Sequence, residues 1–163
     1  MEATGRDLDA ELEVDVALDN SVLEGLDGVT TAMHVCRGNA AGNWAGSGGY
    51  DVIAEPLFGS IAVDRLLLEY DTPRSGGFEA LRHARPATTV VLGLLTTKTG
   101  ELEDAAAVEA RVREAARVVP LERLALSPQC GFASVEWGNP ISPAEQEAKL
   151  RLVVELARQV WPV

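Results

Sequence analysis

Apolar residues recur at helical spacing through residues 1–26: Leu8, Leu12, Val16, Val22, Leu23 and Leu26 follow mostly at steps of three or four, with Asp and Glu between them. That spacing predicts an amphipathic helix, which Asp27-Gly28 ends. Val29 to Cys36 is a short β-branched run that reads as a strand, followed by the turn-prone Arg37-Gly38-Asn39 and a loose Gly/Ala/Asn stretch to Gly49. Tyr50 to Ile61 reads as a weaker helix interrupted at Pro56, and Val63 to Tyr70 as a second strand. Gly77 to Arg82 predicts a short helical turn, and Thr88 to Leu95 a third strand whose continuous apolarity implies burial on both faces. Glu103 to Val119 predicts a helix, Leu121 to Leu126 a fourth strand, and Ala144 to Val160 a last amphipathic helix. Ser142 is the expected N-cap of that helix, with Pro143 as its first residue and Glu145 behind.

The order is one helix and then four βα units, so parallel strands joined by helical crossovers are expected. Two α/β architectures compete: an open doubly wound sheet, and part of a (β/α)8 TIM barrel, which at about 250 residues needs far more chain. At 163 residues, length alone favours the open sheet. No Gly-x-Gly-x-x-Gly follows a strand and no phosphate-binding Gly-x-x-x-x-Gly-Lys-Ser/Thr occurs, so nothing in the motifs supports a nucleotide site.

Charge and composition narrow the function classes. The formal charge of -11 repels phosphodiester backbones and anionic lipid, which argues against nucleic-acid and membrane-surface roles and for small-molecule substrates or a protein partner. The longest clean apolar run, Val90 to Leu95, is far below the ~20 residues of a membrane span. A cytoplasmic protein is expected, and in that reducing compartment Cys36 and Cys130 read as free thiols or metal ligands rather than as a disulfide.

Reactive residue types stand at the C-terminal ends of all four predicted strands: His34 and Cys36, Glu69, Lys98 and Cys130. In parallel α/β folds this edge delivers side chains to one pocket. His34 and Cys36 are two apart on a strand, so they leave the same face and can share an ion. With Glu69 and Cys130 the set is one imidazole, two thiolates and a carboxylate, which suits zinc. Taken singly, each has a plainer reading: a strand cysteine is ordinarily a small hydrophobe, a strand-end Glu a solvated charge, and Pro128-Gln129-Cys130-Gly131 a turn. His83, ahead of Arg85-Pro86, reads as a surface residue. Arg37, Asn39, Asp71 and Arg74 share the loop edge and are candidates for binding a carboxylate-bearing substrate, although loop charges also serve solubility.

Three strings carry a family resemblance: His34-Val35-Cys36-Arg37-Gly38-Asn39; Leu68-Glu69-Tyr70-Asp71 with Arg74-Ser75-Gly76-Gly77-Phe78-Glu79; and Leu126-Ser127-Pro128-Gln129-Cys130-Gly131-Phe132. In this order they resemble the C-terminal catalytic domain of cobalamin-independent methionine synthase, 5-methyltetrahydropteroyltriglutamate-homocysteine methyltransferase, and especially its shorter single-barrel relatives. The resemblance implies a (β/α)8 barrel of which residues 1–163 form the C-terminal half, and makes His34, Cys36, Glu69 and Cys130 zinc ligands. It implies methyl transfer from 5-methyltetrahydrofolate to the homocysteine thiol, with Glu69 as the exchangeable ligand that yields to the substrate sulfur.

Two departures matter. Methionine synthases carry a His after the third of these strands for proton transfer to the folate nitrogen; here the segment is Leu95-Thr96-Thr97-Lys98-Thr99, leaving Lys98 as the candidate acid. Shorter family members include a zinc enzyme that opens epoxyalkanes with coenzyme M, so transfer of another alkyl group to another thiol is the second reading. The first half of the barrel, which in relatives holds the homocysteine amino and carboxylate groups, is also missing. The resemblance therefore implies a fragment that begins within a family helix, with two half-barrels pairing, or an open repacked sheet, as alternatives. A zinc-binding subunit that turns over only with a complementary half is the third reading.

Overall fold

The computed structural model describes residues 7–44, 46, 48–133 and 135–162. Helix α1 spans Leu8–Leu23, and the Asp7 carboxylate caps it by accepting the Ala10 N–H at 3.2 Å. The opening helix expected over residues 1–26 is thus shorter; residues 1–6 of that expectation lie outside the described ones. Strands β1 (Ala32–Val35), β2 (Arg65–Glu69), β3 (Thr89–Leu95) and β4 (Leu124–Pro128) form one parallel sheet in the order β1-β2-β3-β4. Between β1 and β2, helix α2 (Asp51–Ile53) widens into a π-helical turn over Ala54–Phe58, which contains Pro56. The predicted interruption is therefore a change of winding rather than a break. Helix α3 covers Ala105–Ala115 behind its Asp104 cap, and α4 covers Pro143–Val160. The Ser142 and Glu145 side chains reciprocally cap α4, as the sequence predicts.

Strand order separates the two predicted architectures. A doubly wound sheet reverses direction at a switch point, whereas each strand here pairs with its immediate sequence neighbours. The open-sheet expectation from length is corrected: four parallel strands alternate with helices in the winding of a barrel and cover about half of one.

The register fixes which face each residue occupies. Leu66, Val90 and Leu124 form one row and Leu68, Leu92 and Leu126 another, on the face that joins the main core with Phe58, Leu81, Val108, Val112, Leu152 and Leu156. The opposite face carries the row His34, Leu67, Val91 and Ala125, none of which joins that core, and then Glu69, Gly93 and Ser127 at the C-terminal edge. In a closed barrel this second face is the interior.

Three local expectations are corrected. Leu121–Arg123, expected as the start of β4, is a 3-10 turn, because Pro120 sets the preceding backbone and the Arg123 guanidinium donates to the Thr88, Ala84 and Arg85 carbonyls. The helical turn expected at residues 77–82 sits at Glu79–His83. His83, expected at the surface, is half-buried at the end of the 3-10 turn Glu79–His83.

Candidate metal centre

Strand β1 sets His34 on the interior face, and Cys36 follows one residue beyond its end; Glu69 is the last residue of β2, and Cys130 lies two past the end of β4. One ligand atom from each lies within 4.8 Å of every other. A zinc tetrahedron with bonds of about 2.0–2.3 Å has edges a little under 4 Å, within small side-chain adjustments of this arrangement. His34 Nε2 is 3.3 Å from Glu69 Oε1.

The electrostatics call for a cation. Glu69 is 0% exposed, and among the described residues no hydrogen bond of good geometry reaches either carboxylate oxygen, the His34 ring at 3.3 Å being its ion-pair contact. Burial of an ionised carboxylate without a partner is costly. Burial pushes its carboxyl up, yet the His34 ring and the Gln129 side chain, with the Arg37 N–H and the Cys36 thiol, together outweigh this and hold it below the usual range. The Cys36 thiol is pushed up, first by burial and then by Cys130 and Glu69, against the pull of the Gly38 N–H 3.4 Å from its sulfur. Two free thiols and a buried carboxylate therefore crowd one point, and a divalent ion there relieves both the desolvation and the mutual repulsion.

Neighbouring residues, overlooked in the sequence, surround this cluster. The buried Tyr50 hydroxyl accepts the Glu69 N–H at 2.8 Å and lies 3.3 Å from the Val35 carbonyl, so it joins the two ligand-bearing strands just where their pairing ends. Gln129 Oε1 accepts the Thr97 N–H at 3.2 Å and the Thr97 hydroxyl at 2.6 Å. On β3 the ligand row is filled by Gly93, where an added Cβ would sit 2.7 Å from Gln129 Cα and 2.9 Å from the Leu68 carbonyl oxygen. The glycine thus lets β4 close in beside Glu69.

The other expected site residues divide by environment. Arg37 stacks over Tyr50, 5.0 Å from its ring centre, and donates to the Gly48 carbonyl; Arg74 stacks on Trp44 at 4.5 Å and donates to the Gly46 carbonyl. Asn39 bonds Thr97 Oγ1 at 3.3 Å and caps the Gly42 N–H. These three hold the segment following β1 in place. Asp71 and Lys98 instead line a cavity of about 350 Å³ with Trp44, Thr72, Thr96 and Leu102. Lys98 is only 2% exposed, and its Nζ has no hydrogen-bond acceptor among the described residues, although it lies 5.7 Å from the Trp44 ring centre. Burial raises the Asp71 carboxyl above its ordinary range.

Residues 45–159 match the family described as cobalamin-independent synthase, catalytic domain. The uncharacterised Bacillus subtilis (strain 168) proteins YxjG and YxjH are each 49% identical to the chain, over 89% and 88% of its length and 39% and 38% of theirs. A Listeria monocytogenes protein assigned as a vitamin-B12-independent methionine synthase superposes with a TM-score of 0.77 at 38% identity, over 99% of this chain and 45% of that one. A B12-independent methionine synthase from Shewanella sp. W3-18-1, solved with selenomethionine, shares the fold with a TM-score of 0.75 at 24% identity, over 94% and 45% of the two chains. The chain spans less than half the length of each of these relatives. It belongs to the cobalamin-independent methionine synthase catalytic-domain family, with four candidate metal donors gathered at the C-terminal edge of its sheet.

Proposed function

We propose that this chain carries the zinc centre of a thiol methyltransferase, moving a methyl group from 5-methyltetrahydrofolate to homocysteine to form methionine. The observation that carries the reading is the convergence of His34, Cys36, Glu69 and Cys130 around a fully buried carboxylate that no hydrogen bond of good geometry reaches among the described residues. Zinc at such a site lowers the pKa of a bound thiol while leaving its sulfur nucleophilic. His34, Cys36 and Cys130 would hold the ion throughout, and Glu69 would be the donor that yields, because a carboxylate leaves more readily than a thiolate. As the methyl–nitrogen bond breaks and the methyl–sulfur bond forms, the leaving nitrogen takes a proton from Lys98 Nζ, the enclosed cation in the adjoining cavity. Asp71 contacts substrate in that cavity, and Arg37, Asn39 and Arg74 act with it by shaping the segment over the site.

Lys98, standing where methionine synthases carry a His, favours a second reading: alkylation of another thiol, such as coenzyme M, by an epoxide. The sheet face bearing Leu67, Val91 and Ala125 lies outside the main core, which supports turnover in an assembly with a complementary half-barrel, or in a homodimer. Zinc content should fall from about one per chain to near zero in both Cys36→Ala and Cys130→Ala, with activity lost in parallel. Activity is read with methyltetrahydrofolate and homocysteine, and with coenzyme M and epoxypropane, alone and with an added N-terminal half-barrel. Stoichiometric zinc retained in both variants would refute the ligand assignment.

A further inference from the structure

An exchangeable carboxylate needs somewhere to go. Glu69 is shut away from solvent, so once displaced from a metal it cannot be rehydrated and has to find a donor within the protein. Gln129 is placed to be that donor. Its amide orientation follows from Thr97: a backbone N–H can only donate, so the end of Gln129 that meets Thr97 N is the oxygen, and the same oxygen takes the Thr97 hydroxyl. The Nε2 group therefore points away from Thr97. It is buried and has no hydrogen-bond partner among the described residues. It lies close enough to Glu69 for the side chain to count among the groups that hold that carboxyl low.

Position and rigidity both come from the backbone. The β3–β4 register shifts between Gly93 and Leu95, and the Gln129 N–H donates to the Leu95 carbonyl at 2.7 Å. Gly93, paired in register with Glu69, lets Gln129 approach to a distance that any Cβ would forbid. Thr97, the anchor of the amide, is itself braced: Asn139 Nδ2 donates to its carbonyl at 2.8 Å and Asn39 Nδ2 to its hydroxyl at 3.3 Å. An amide fixed at its oxygen end, with two N–H donors free beside a buried carboxylate, is preorganised to receive that carboxylate.

We propose that Gln129 is a positioning residue that receives the Glu69 carboxylate when a substrate thiolate takes its place at the metal centre, so that the amide and the metal are alternative partners of one side chain. The role rests on the functional reading above, in which Glu69 is the ligand that yields. The thiol proton leaves to solvent, and the carboxylate stays ionised in both positions. Loss of the amide should therefore weaken thiol uptake far more than metal uptake, since the displaced carboxylate depends on Nε2 and the metal-bound one has the metal.

The test uses the full chain loaded with Co2+, whose visible bands report tetrahedral coordination and whose thiolate charge-transfer band grows when another sulfur binds. L-homocysteine and 2-mercaptoethanesulfonate are the thiol probes, and metal affinity is read by competition with a chromophoric chelator. In Gln129→Leu, metal affinity should stay within about threefold of wild type while thiol affinity falls about tenfold or more, the range for loss of an outer partner of a metal ligand. Thr97→Val, which frees the amide without removing it, should give a smaller loss in the same direction and serves if Gln129→Leu does not fold. In a Glu69→Ala background the Gln129→Leu change should leave thiol affinity unaltered, a coupling that a merely structural role would not produce. Equal thiol affinity in wild type and Gln129→Leu, or an undiminished effect in the Glu69→Ala background, would overturn the role. A cobalt-loaded wild type that answers neither thiol would overturn the functional reading itself and this role with it.

Discussion

Tyr50→Phe isolates one hydroxyl at the junction of the two strands that carry three of the four donors. The ring stays: Phe at this position keeps the packing against Phe58 and Tyr70, whose centroids lie 5.7 and 5.3 Å away, and the Arg37 guanidinium above it. The variant loses the acceptor for the Glu69 N–H at 2.8 Å and the contact with the Val35 carbonyl at 3.3 Å. Burial pushes the Tyr50 phenol up to about 12, so the hydroxyl is protonated and bonded throughout the neutral range. A buried N–H left without an acceptor costs about 1–3 kcal/mol, and the Val35 carbonyl is only half-buried, so a loss of about 2 kcal/mol is expected. Against a typical domain stability of about 5–15 kcal/mol that shift is readily measured. Val35 stands between His34 and Cys36, and Glu69 is itself a donor, so slackening this junction should also weaken zinc binding about 10- to 100-fold. Urea unfolding of the metal-free chain gives the first quantity and chelator competition the second. A stability change below about 0.5 kcal/mol together with unaltered zinc affinity would refute the claim that this hydroxyl sets the spacing of β1 and β2 at the site.

Gly93→Ala places a methyl against the Gln129 Cα and the Leu68 carbonyl oxygen, so it should cost about 2–3 kcal/mol in urea unfolding and lower zinc affinity as β4 is pushed away. Lys149→Met strips the fully buried Lys149 from Glu103, 2.9 Å away; breaking that pair should cost about 3 kcal/mol while zinc stoichiometry stays at wild type. Asp64 is held below the usual carboxylate range, chiefly by the Thr31 N–H at 2.7 Å and then its hydroxyl at 3.0 Å. Its contribution is therefore complete above about pH 4 and lost as pH falls through the lowered value. Asp64→Asn should flatten that acid limb of the stability profile. Because the four donors join β1, β2 and β4, a chelator should lower the melting temperature of the zinc-loaded wild type and leave Cys130→Ala unchanged.

Element type was open to reading because the short continuous apolar run of Thr89–Leu95 marks a buried strand, whereas the three- and four-residue apolar spacing of Pro143–Val160 behind a Ser-Pro cap marks a helix. The reading failed at Leu121-Glu122-Arg123, whose alternation is strand-like, because what bends it is the reach of Arg123 to three carbonyls more than thirty residues away. The same division holds at the site. His34, Cys36, Glu69 and Cys130 are reactive residue types at strand ends, so their convergence follows from topology once the strands are known to be parallel. Tyr50, Gln129 and Gly93 act through contacts between elements, and nothing in their local sequence announces those contacts. Arg37 and Arg74 drew attention as charges, but sequence does not disclose that each guanidinium donates to a glycine carbonyl of the segment after β1. The burial of Lys98 was equally hidden, since a lysine in a polar turn ordinarily lies in water.

The four candidate metal donors all come from within these four βα units. All four lie on or just past β1, β2 and β4, and Tyr50 and Gly93, which set the spacing of those strands, belong to the same four βα units. The sheet face beneath them differs: Leu67, Val91 and Ala125 stand outside the main core. The flanking helices likewise present apolar residues to solvent, Val14, Leu18 and Val22 on α1 and Leu150 and Val154 on α4, each stripe at the four-residue spacing of one helix face. Both sets are the surfaces that a closed barrel covers, at its interior and at its helix-to-helix seams. Under the proposed function, metal binding and turnover should therefore be separable: metal uptake would rest on contacts within these four units, and turnover on a complementary half that covers the exposed sheet face.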